Sequence, residues 1–493
     1  MKFIQRLDIV AIFVILCLSV VISILLILGD PNFPQITNFS WEKKQIGVWD
    51  QSFTLSFNRL MDQESVEKNL IIDPPLPGKI SWSGRNLIYT LTENPFYGKE
   101  YTLRLDSATE LNKSEKPQEI ESFISKFYSR DLIFAYIGLK EKTTENQTSQ
   151  EEEKPEEKGK LIIYNQTQNI TEILTPQDLW VVNFAMYPEG DKAVISAFDP
   201  TQGFDEQKIY TVTTGLNFED RDIINPLGKI RLLLDSKNYE NIKFKLSKNG
   251  KTLIVERKSR QNPTDHSLWA IFENQEPKPL GILGQDFKLS PDGNTIVISL
   301  AEGISLRPLT TEGEQVFYSG YSQFLAFSHD GSKKLMEKVN ANYTRSLILI
   351  DDEGKEKELA MSLTPFIDCQ FEPRKEEIIY CAKTEITEKD GIYVEKPILA
   401  MMKLKNPKFF PLISLPNDPN FIMSLSPDGT YLAFDQVKSA TDNSNVNGIN
   451  EKGKAIALGK LWLFPVPKVS PEDEPIKQPP QEYDIGYHPQ WLP

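Results

Sequence analysis

The chain has 493 residues, 40% hydrophobic and 25% charged, with a formal net charge of −14. That length exceeds one ordinary domain, and the composition leaves ample material for packed cores. The acidic balance excludes the broad basic face that nucleic-acid binding needs, and with it a general electrostatic hold on anionic lipid.

The amino terminus carries Lys2 and Arg6, then runs uncharged through IVAIFVILCLSVVISILLILG, residues 9–29. Roughly 20 apolar helical residues cross a hydrocarbon core of about 30 Å, and signal-peptide cores are shorter. No small-residue cleavage site follows, and Leu16 before Cys17 does not suit a lipoprotein site. The reading is a transmembrane anchor over 9–29 with 1–8 as a cytoplasmic stub; a cleaved signal or a buried core helix are the alternatives. Basic residues before the run and Asp30 after it place the rest outside by the positive-inside rule. The expectation is a single-pass membrane protein whose bulk is extracytoplasmic, in the periplasm or at the cell surface.

From Ser52 onward, apolar and polar residues alternate in FTLSF, ISW, LIYTL and YTLRL, separated by DPPLPG, SGRN and NPFYGK. Short alternating runs between turn residues predict a β-sandwich. MDQESVEKN is the one helical-looking turn, and residues 120–127 read as the last strand. Over residues 36–127 the chain resembles the bacterial Ig-like domains of S-layer and other surface proteins. The resemblance rests on SFNRLMDQESV (56–66), the Trp82 strand followed by LIYTL, and PFYGKEYTLRL (95–105). It implies a spacer or adhesive module with no cofactor and no catalytic residues.

Beyond residue 129 one phrase recurs. LSPDGNTIVISL at Leu289 returns as LSPDGTYLAF at Leu425, with looser copies FSHDGSKKLM at Phe327, LSKNGKTLIV at Leu246 and MYPEGDKAVI at Met186. Proline presets the second position of a type I turn, aspartate favours the next, and glycine accepts the left-handed geometry that follows. The candidate turn residues are Pro188, Gly190, Asn249, Gly250, Pro291, Asp292, Gly293, Asp330, Gly331, Pro427, Asp428 and Gly429. Hydrophobic runs on both sides make each phrase a hairpin, and repeating hairpin units are the mark of a β-propeller.

Six hairpins are visible, the fifth of them DCQFEPRKEEIIYC at Asp368. A seventh is predicted by joining the final YHPQWLP to SRDLIFAYIGL at Ser129. The two ends then rebuild one strand pair, with Trp491 and Pro493 as ring-closure residues; the alternative is a loose tail. The expectation is seven blades, with six or eight as the alternatives that uneven spacing leaves. Residues 129–493 resemble the TolB-like, or WD-like, propeller repeats of bacterial envelope proteins. Lys248 and Asn249, His329, and the glycine-free EPRKEE depart from the motif. Those repeats are structural, so the resemblance transfers no active residues.

Residues 141–160 and 438–454 read as flexible polar loops and 469–484 as a Pro-rich strap. Cys369 and Cys381 flank a short turn and are a disulfide candidate in an oxidising compartment, two free thiols being the alternative. His266, His329 and His488 have no metal-ligand spacing. No nucleophile elbow, phosphate loop or metalloprotease motif occurs. The acids Asp351, Asp352, Glu376 and Glu377 sit by turns.

The fold class read from the sequence is all-β: an N-terminal transmembrane helix, an Ig-like β-sandwich, then a β-propeller closed by the C-terminal strand. The function expected is a non-catalytic, membrane-anchored scaffold of the bacterial envelope that binds a protein partner. No enzyme activity, cofactor, metal or nucleic acid is expected. The alternative is a cell-wall or surface glycan-binding protein using aromatics such as Trp41, Trp180 or Trp269, which otherwise belong to cores. A propeller glycoside hydrolase with two channel carboxylates is the lesser alternative.

Overall fold

The computed structural model describes residues 14–20, 33–111, 117–139, 157–273, 275–284, 286–310, 313–389, 392–415, 421–440, 446–451, 453–467 and 479–492. Two compact units emerge, Met1–Arg130 and Asp131–Pro493.

The amino-terminal reading is corrected. Residues 14–20 are helical. Among the described residues no helix is long and apolar enough to cross a membrane. The expected transmembrane helix, and the single-pass membrane localisation built on it, are therefore not supported; the rest of residues 9–29 lies outside the described residues.

The first unit is a sandwich of two four-stranded sheets. One has the order Ile36–Phe39, Ser52–Phe57, Asn86–Leu91, Gly78–Ser83; the other has Gln45–Ile46, Phe123–Ser129, Glu100–Leu105, Leu70–Asp73. The alternation in SFTLSF sends Phe53, Leu55 and Phe57 inward, as the two-residue period of a strand dictates. They meet Phe39, Trp41, Tyr101 and Phe127 in one aromatic core. Gln63–Asn69 is a short helix capped by Asp62, whose side chain accepts the Ser65 N–H. Ile120 is buried but precedes the last strand, which starts at Phe123.

The second unit is a β-propeller. Five four-stranded sheets follow one another along the chain. They are blade 2 (Trp180–Met186 to Leu227–Leu234), blade 3 (Tyr239–Leu246 to Lys278–Leu283), blade 4 (Phe287–Leu289 to Val316–Ser319), blade 5 (Tyr321–Phe327 to Glu356–Ser362) and blade 6 (Phe366–Phe371 to Phe409–Ser414). An eight-stranded sheet supplies two more through the long strand Gln481–Trp491. Its first half is the outer strand of blade 7, pairing with Ala455–Pro465. Its second half is the inner strand of blade 1, where Gly486 pairs with Gly138, Tyr487 with Ile137 and Trp491 with Phe134. Pro493 lies outside the described residues. The ring closes there, because Met186 N–H of blade 2 donates to Gln490 Oε1 and the Trp491 N–H donates to Ser424 Oγ of blade 7. Each blade buries a face against the next: Val194 and Ile209 of blade 2 pack with Phe244 and Val255 of blade 3.

The recurring turns join the first and second strands of a blade. Ser290 Oγ donates to Asp292 Oδ1 at 2.5 Å, the Asn294 N–H donates to the same oxygen at 3.1 Å, and the Thr295 N–H donates to Ser290 Oγ at 2.9 Å. Ser328 with Asp330, Ser426 with Asp428, and Ser247 with Asn249 repeat that arrangement. In blade 6, Glu372 takes both roles, its Oε2 accepting the Arg374 and Lys375 N–H groups. Neighbouring turns touch. The Asn249 N–H donates to Pro291 O, and Asp330 N–H to Glu376 Oε1. Pro188 and Gly190 form the blade 2 turn, with the Gly190 N–H donating to Tyr187 O.

Gly429 shows why glycine ends the phrase. Its φ is 70°, a left-handed value, and a Cβ would collide with Glu372 of the preceding turn. Gly429→Ala is expected to lower the stability of the propeller by about 2 kcal/mol or more, read by chemical denaturation.

Cys369 and Cys381 face each other across strands Phe366–Phe371 and Ile378–Lys389, buried, with Cα atoms 4.1 Å apart and sulfurs bonded. Cross-linking so short a loop restricts the unfolded chain. Replacing both cysteines by alanine is expected to cost about 3 kcal/mol in denaturant unfolding of the oxidised protein.

Candidate functional site

Seven inner strands surround the central channel of a propeller, and their sequences give it a polar lining. In KFKL of blade 3, Phe244 is buried in the blade while Lys243 and Lys245 take the other side. In FKL of blade 4, Phe287 is buried and Lys288 is not. Several inner strands also carry a β-bulge, between Val181 and Asn183, Asn241 and Lys243, Phe366 and Asp368, and Tyr487 and Gln490. A bulge re-aims the next side chain, and here that places Asn183, Lys243, Asp368 and His488 at the axis.

Side chains that reach from one blade to another mark these residues as channel-facing, Lys288 and Asp368 spanning two blades that are not neighbours. Lys288 Nζ of blade 4 donates to Leu325 O of blade 5 and lies 4.0 Å from Asp368 Oδ1 of blade 6. Gln370 Nε2 reaches Met423 O of blade 7 at 2.8 Å. Lys243 Nζ lies 3.3 Å from Glu256 Oε2 and 3.4 Å from Asp286 Oδ1.

Glu451 joins this wall from an unexpected place. The segment between Tyr431–Ser439 and Ala455–Pro465, read from the sequence as a loop, carries the short strand Gly448–Ile449 and then a tight turn. The Gly453 N–H donates to Asn450 O, and the Lys454 N–H to Asn450 Oδ1. Glu451 stands on that turn. Its Oε2 accepts from Asn183 Nδ2 of blade 2 at 3.1 Å and from Lys245 Nζ of blade 3 at 3.0 Å. The Tyr487 hydroxyl holds the approach, donating to Ile449 O at 3.0 Å.

The electrostatics follow. Burial works to raise the Glu451 carboxyl, but Lys245, His488 and Lys243 outweigh it and the carboxyl lies below its ordinary value. Burial pushes His488 down to about 4, against the pull of Glu451, so the imidazole is neutral near pH 7. Burial raises the Asp368 carboxyl, and Lys288 opposes it. Beside the channel, Asp435 is 1% exposed, and burial lifts it to about 7. Its Oδ1 accepts the Ile422 N–H and its Oδ2 the His488 N–H, both at 2.8 Å.

The turn residues expected from the sequence lie at one end of the blades, away from this lining. Their acids are turn-forming: partial burial works to raise Asp292, yet hydrogen bonds from Ser290 and Asn294 hold it below its ordinary value. Asp351 accepts the Lys355 N–H, and Glu376 accepts from Lys333. Trp41 is core, Trp180 packs on Phe198, and Trp269 packs with Tyr239 and the Arg257 guanidinium. Among the described residues no group of three or more metal-ligating side chains occurs. Sequence reasoning missed the channel residues, although a signal exists. Asn183, Lys243, Asp286 and Asp368 each stand four positions before the first residue of their turn, at Tyr187, Ser247, Ser290 and Glu372.

No protein-family model and no curated protein matches the chain. Similar solved structures include TolB-like β-propellers. TolB from Acinetobacter baumannii is 12% identical, covering 69% of this chain and 78% of that chain, with a TM-score of 0.35. An oligogalacturonate lyase in complex with manganese is 12% identical, covering 63% and 83%, with a TM-score of 0.42. A candidate 6-phosphogluconolactonase from Bacteroides uniformis is 14% identical, covering 73% and 99%, with a TM-score of 0.40. Likeness of this size assigns no activity.

Proposed function

We propose that the chain is a non-catalytic protein-interaction scaffold of the bacterial envelope, and that its propeller receives an extended segment of a partner protein on a projecting ribbon. The supporting observation is the second hairpin of blade 6. Strands Ile378–Lys389 and Ile392–Lys403 pair in unbroken register from Ile378 with Lys403 to Lys389 with Ile392. The flanking strands stop short, pairing only as far as Lys383 on one side and Ile398 on the other. Residues 385–389 and 392–396 therefore stand beyond the blade as a two-stranded ribbon, with no third strand on either edge among the described residues.

A two-stranded ribbon is marginal in water, and an open edge is a template for strand addition. Ile386 and Tyr393 are exposed there, Tyr393 by 74%. The Cys369–Cys381 disulfide ties two strands of the same blade, four residues before the ribbon leaves it, and suits an oxidising compartment. The sandwich unit fits the spacer role that its Ig-like resemblance implies. The glycan alternative is weakened because Trp41 is buried in the sandwich core and half-buried Trp269 is packed with Tyr239 and Arg257.

The test is in-cell photo-crosslinking from position Tyr393, with exposed Tyr343 as control. The expected result is one envelope protein joined at Tyr393 alone, whose purified form binds at least tenfold more weakly once residues 385–396 are replaced by a two-residue turn. A folded protein that yields no specific crosslink, or a partner indifferent to the shortened ribbon, overturns the proposal.

A further inference from the structure

The channel contains a carboxylate already bound. Glu451 comes from the blade 7 insert, yet its carboxylate is received by blades 2 and 3, through Asn183 Nδ2 and Lys245 Nζ. Lys243 stands two residues before Lys245 on the same strand face. An ammonium and a primary amide converging on one oxygen form the kind of donor set that recognises a carboxylate from any source. The cations belong to the ring, whereas the anion is delivered by a turn outside the blade repeat.

We propose that Asn183, Lys243 and Lys245 form a binding site for a small organic carboxylate, and that Glu451 is its built-in competitor. A ligand carboxylate would take the place of Glu451 between Asn183 and Lys245, releasing the turn that carries it. The inference is independent of the ribbon: it concerns residues of blades 2 and 3, not blade 6, and does not require a protein partner.

Tethering sets the expected size of the effect. A side chain held beside its site acts as a competitor at an effective concentration of about millimolar or more. The unaltered protein should therefore bind a free carboxylate poorly, and removing the tethered one should unmask the site.

The probe is glutarate, measured by calorimetry on the full chain. Glu451→Ala is expected to bind it at least tenfold more tightly than the unaltered protein, and Glu451→Ala combined with Lys245→Gln is expected to lose that gain. Glu451→Gln, which keeps the shape and an acceptor for Asn183, should bind with intermediate strength; thermal unfolding of each variant checks that the ring is intact. Equal binding by Glu451→Ala and the unaltered protein overturns the proposal, as does undiminished binding by the double variant. Binding of inorganic phosphate as tightly as glutarate overturns the carboxylate assignment, and binding of an acidic peptide without glutarate overturns the small-ligand assignment.

Discussion

Replacing Glu337 with alanine is expected to destabilise the propeller by about 3–5 kcal/mol, among the larger single-residue effects available in this chain. Glu337 is 1% exposed and sits on the second strand of blade 5. Its Oε1 accepts from Arg345 Nη1 at 2.6 Å and from Ser322 Oγ at 2.8 Å, and its Oε2 accepts the Phe366 N–H of blade 6 at 2.9 Å. One carboxylate thus ties three strands of two blades. Alanine would strand a guanidinium and a backbone N–H near the blade interface, and Glu337→Gln, which keeps one acceptor, should cost less. Denaturant unfolding of both variants measures the difference; a loss below about 1 kcal/mol for Glu337→Ala would show that water replaces the carboxylate.

The position is a repeated one. Nine residues after the first residue of the turn (Tyr187, Ser247, Ser290, Ser328, Glu372 and Ser426) stand Ser196, Glu256, Ser299, Glu337, Cys381 and Asp435. Glu256 meets His266 Nε2 at 2.7 Å and Lys243. Asp435 holds the first residues of blade 7 and the closing strand of blade 1. Apolar faces bring the blades together without specifying direction, and Glu337 and Asp435, whose carboxylates bond across blades, fix the register of one blade against the next.

Much of this was legible in the amino-acid order because turn chemistry is local. Pro291, Asp292 and Gly293 announce a hairpin by their own backbone preferences, and the flanking alternation says which strands it joins. The closing strand was legible because YHPQWLP and SRDLIFAYIGL each lack a partner. Glu372 was not legible as a turn former, because the motif it replaces has serine and aspartate two positions apart, and only the folded turn shows one longer side chain reaching both N–H groups. Glu451 was hidden for a different reason. Its partners lie 206 and 268 positions away, inside a stretch whose polarity reads as an ordinary loop. The amino-terminal run misled because hydropathy marks a segment as apolar without fixing its fold, and among the described residues no helix is long and apolar enough to cross a membrane.

The last expected result concerns pH, where two neighbours on the ring closure oppose each other. His488 titrates near pH 4 in the folded chain and near 6.5 when free. A depressed histidine binds fewer protons folded than unfolded, so its contribution to stability grows as pH rises from about 4 to about 6.5. Asp435 titrates near 7 folded and near 3.8 free. A raised carboxyl binds more protons folded than unfolded, so its contribution falls as pH rises from about 4 to about 7. The His488 ring faces Phe184, Glu451 and Lys245, and Asp435 faces the N–H groups of Ile422 and His488. Each term amounts to at most about 3–5 kcal/mol, less for half-buried His488. Together they nearly cancel in the unaltered protein. His488→Asn suits the left-handed backbone there, φ 56°, and removes one term. Its stability relative to the unaltered protein should decline between pH 4.5 and pH 6.5. Asp435→Asn removes the other, and its relative stability should improve between pH 4.5 and pH 7. Unfolding free energies of the three proteins at matched pH values measure both slopes, and parallel curves would mean that neither side chain changes its protonation on folding.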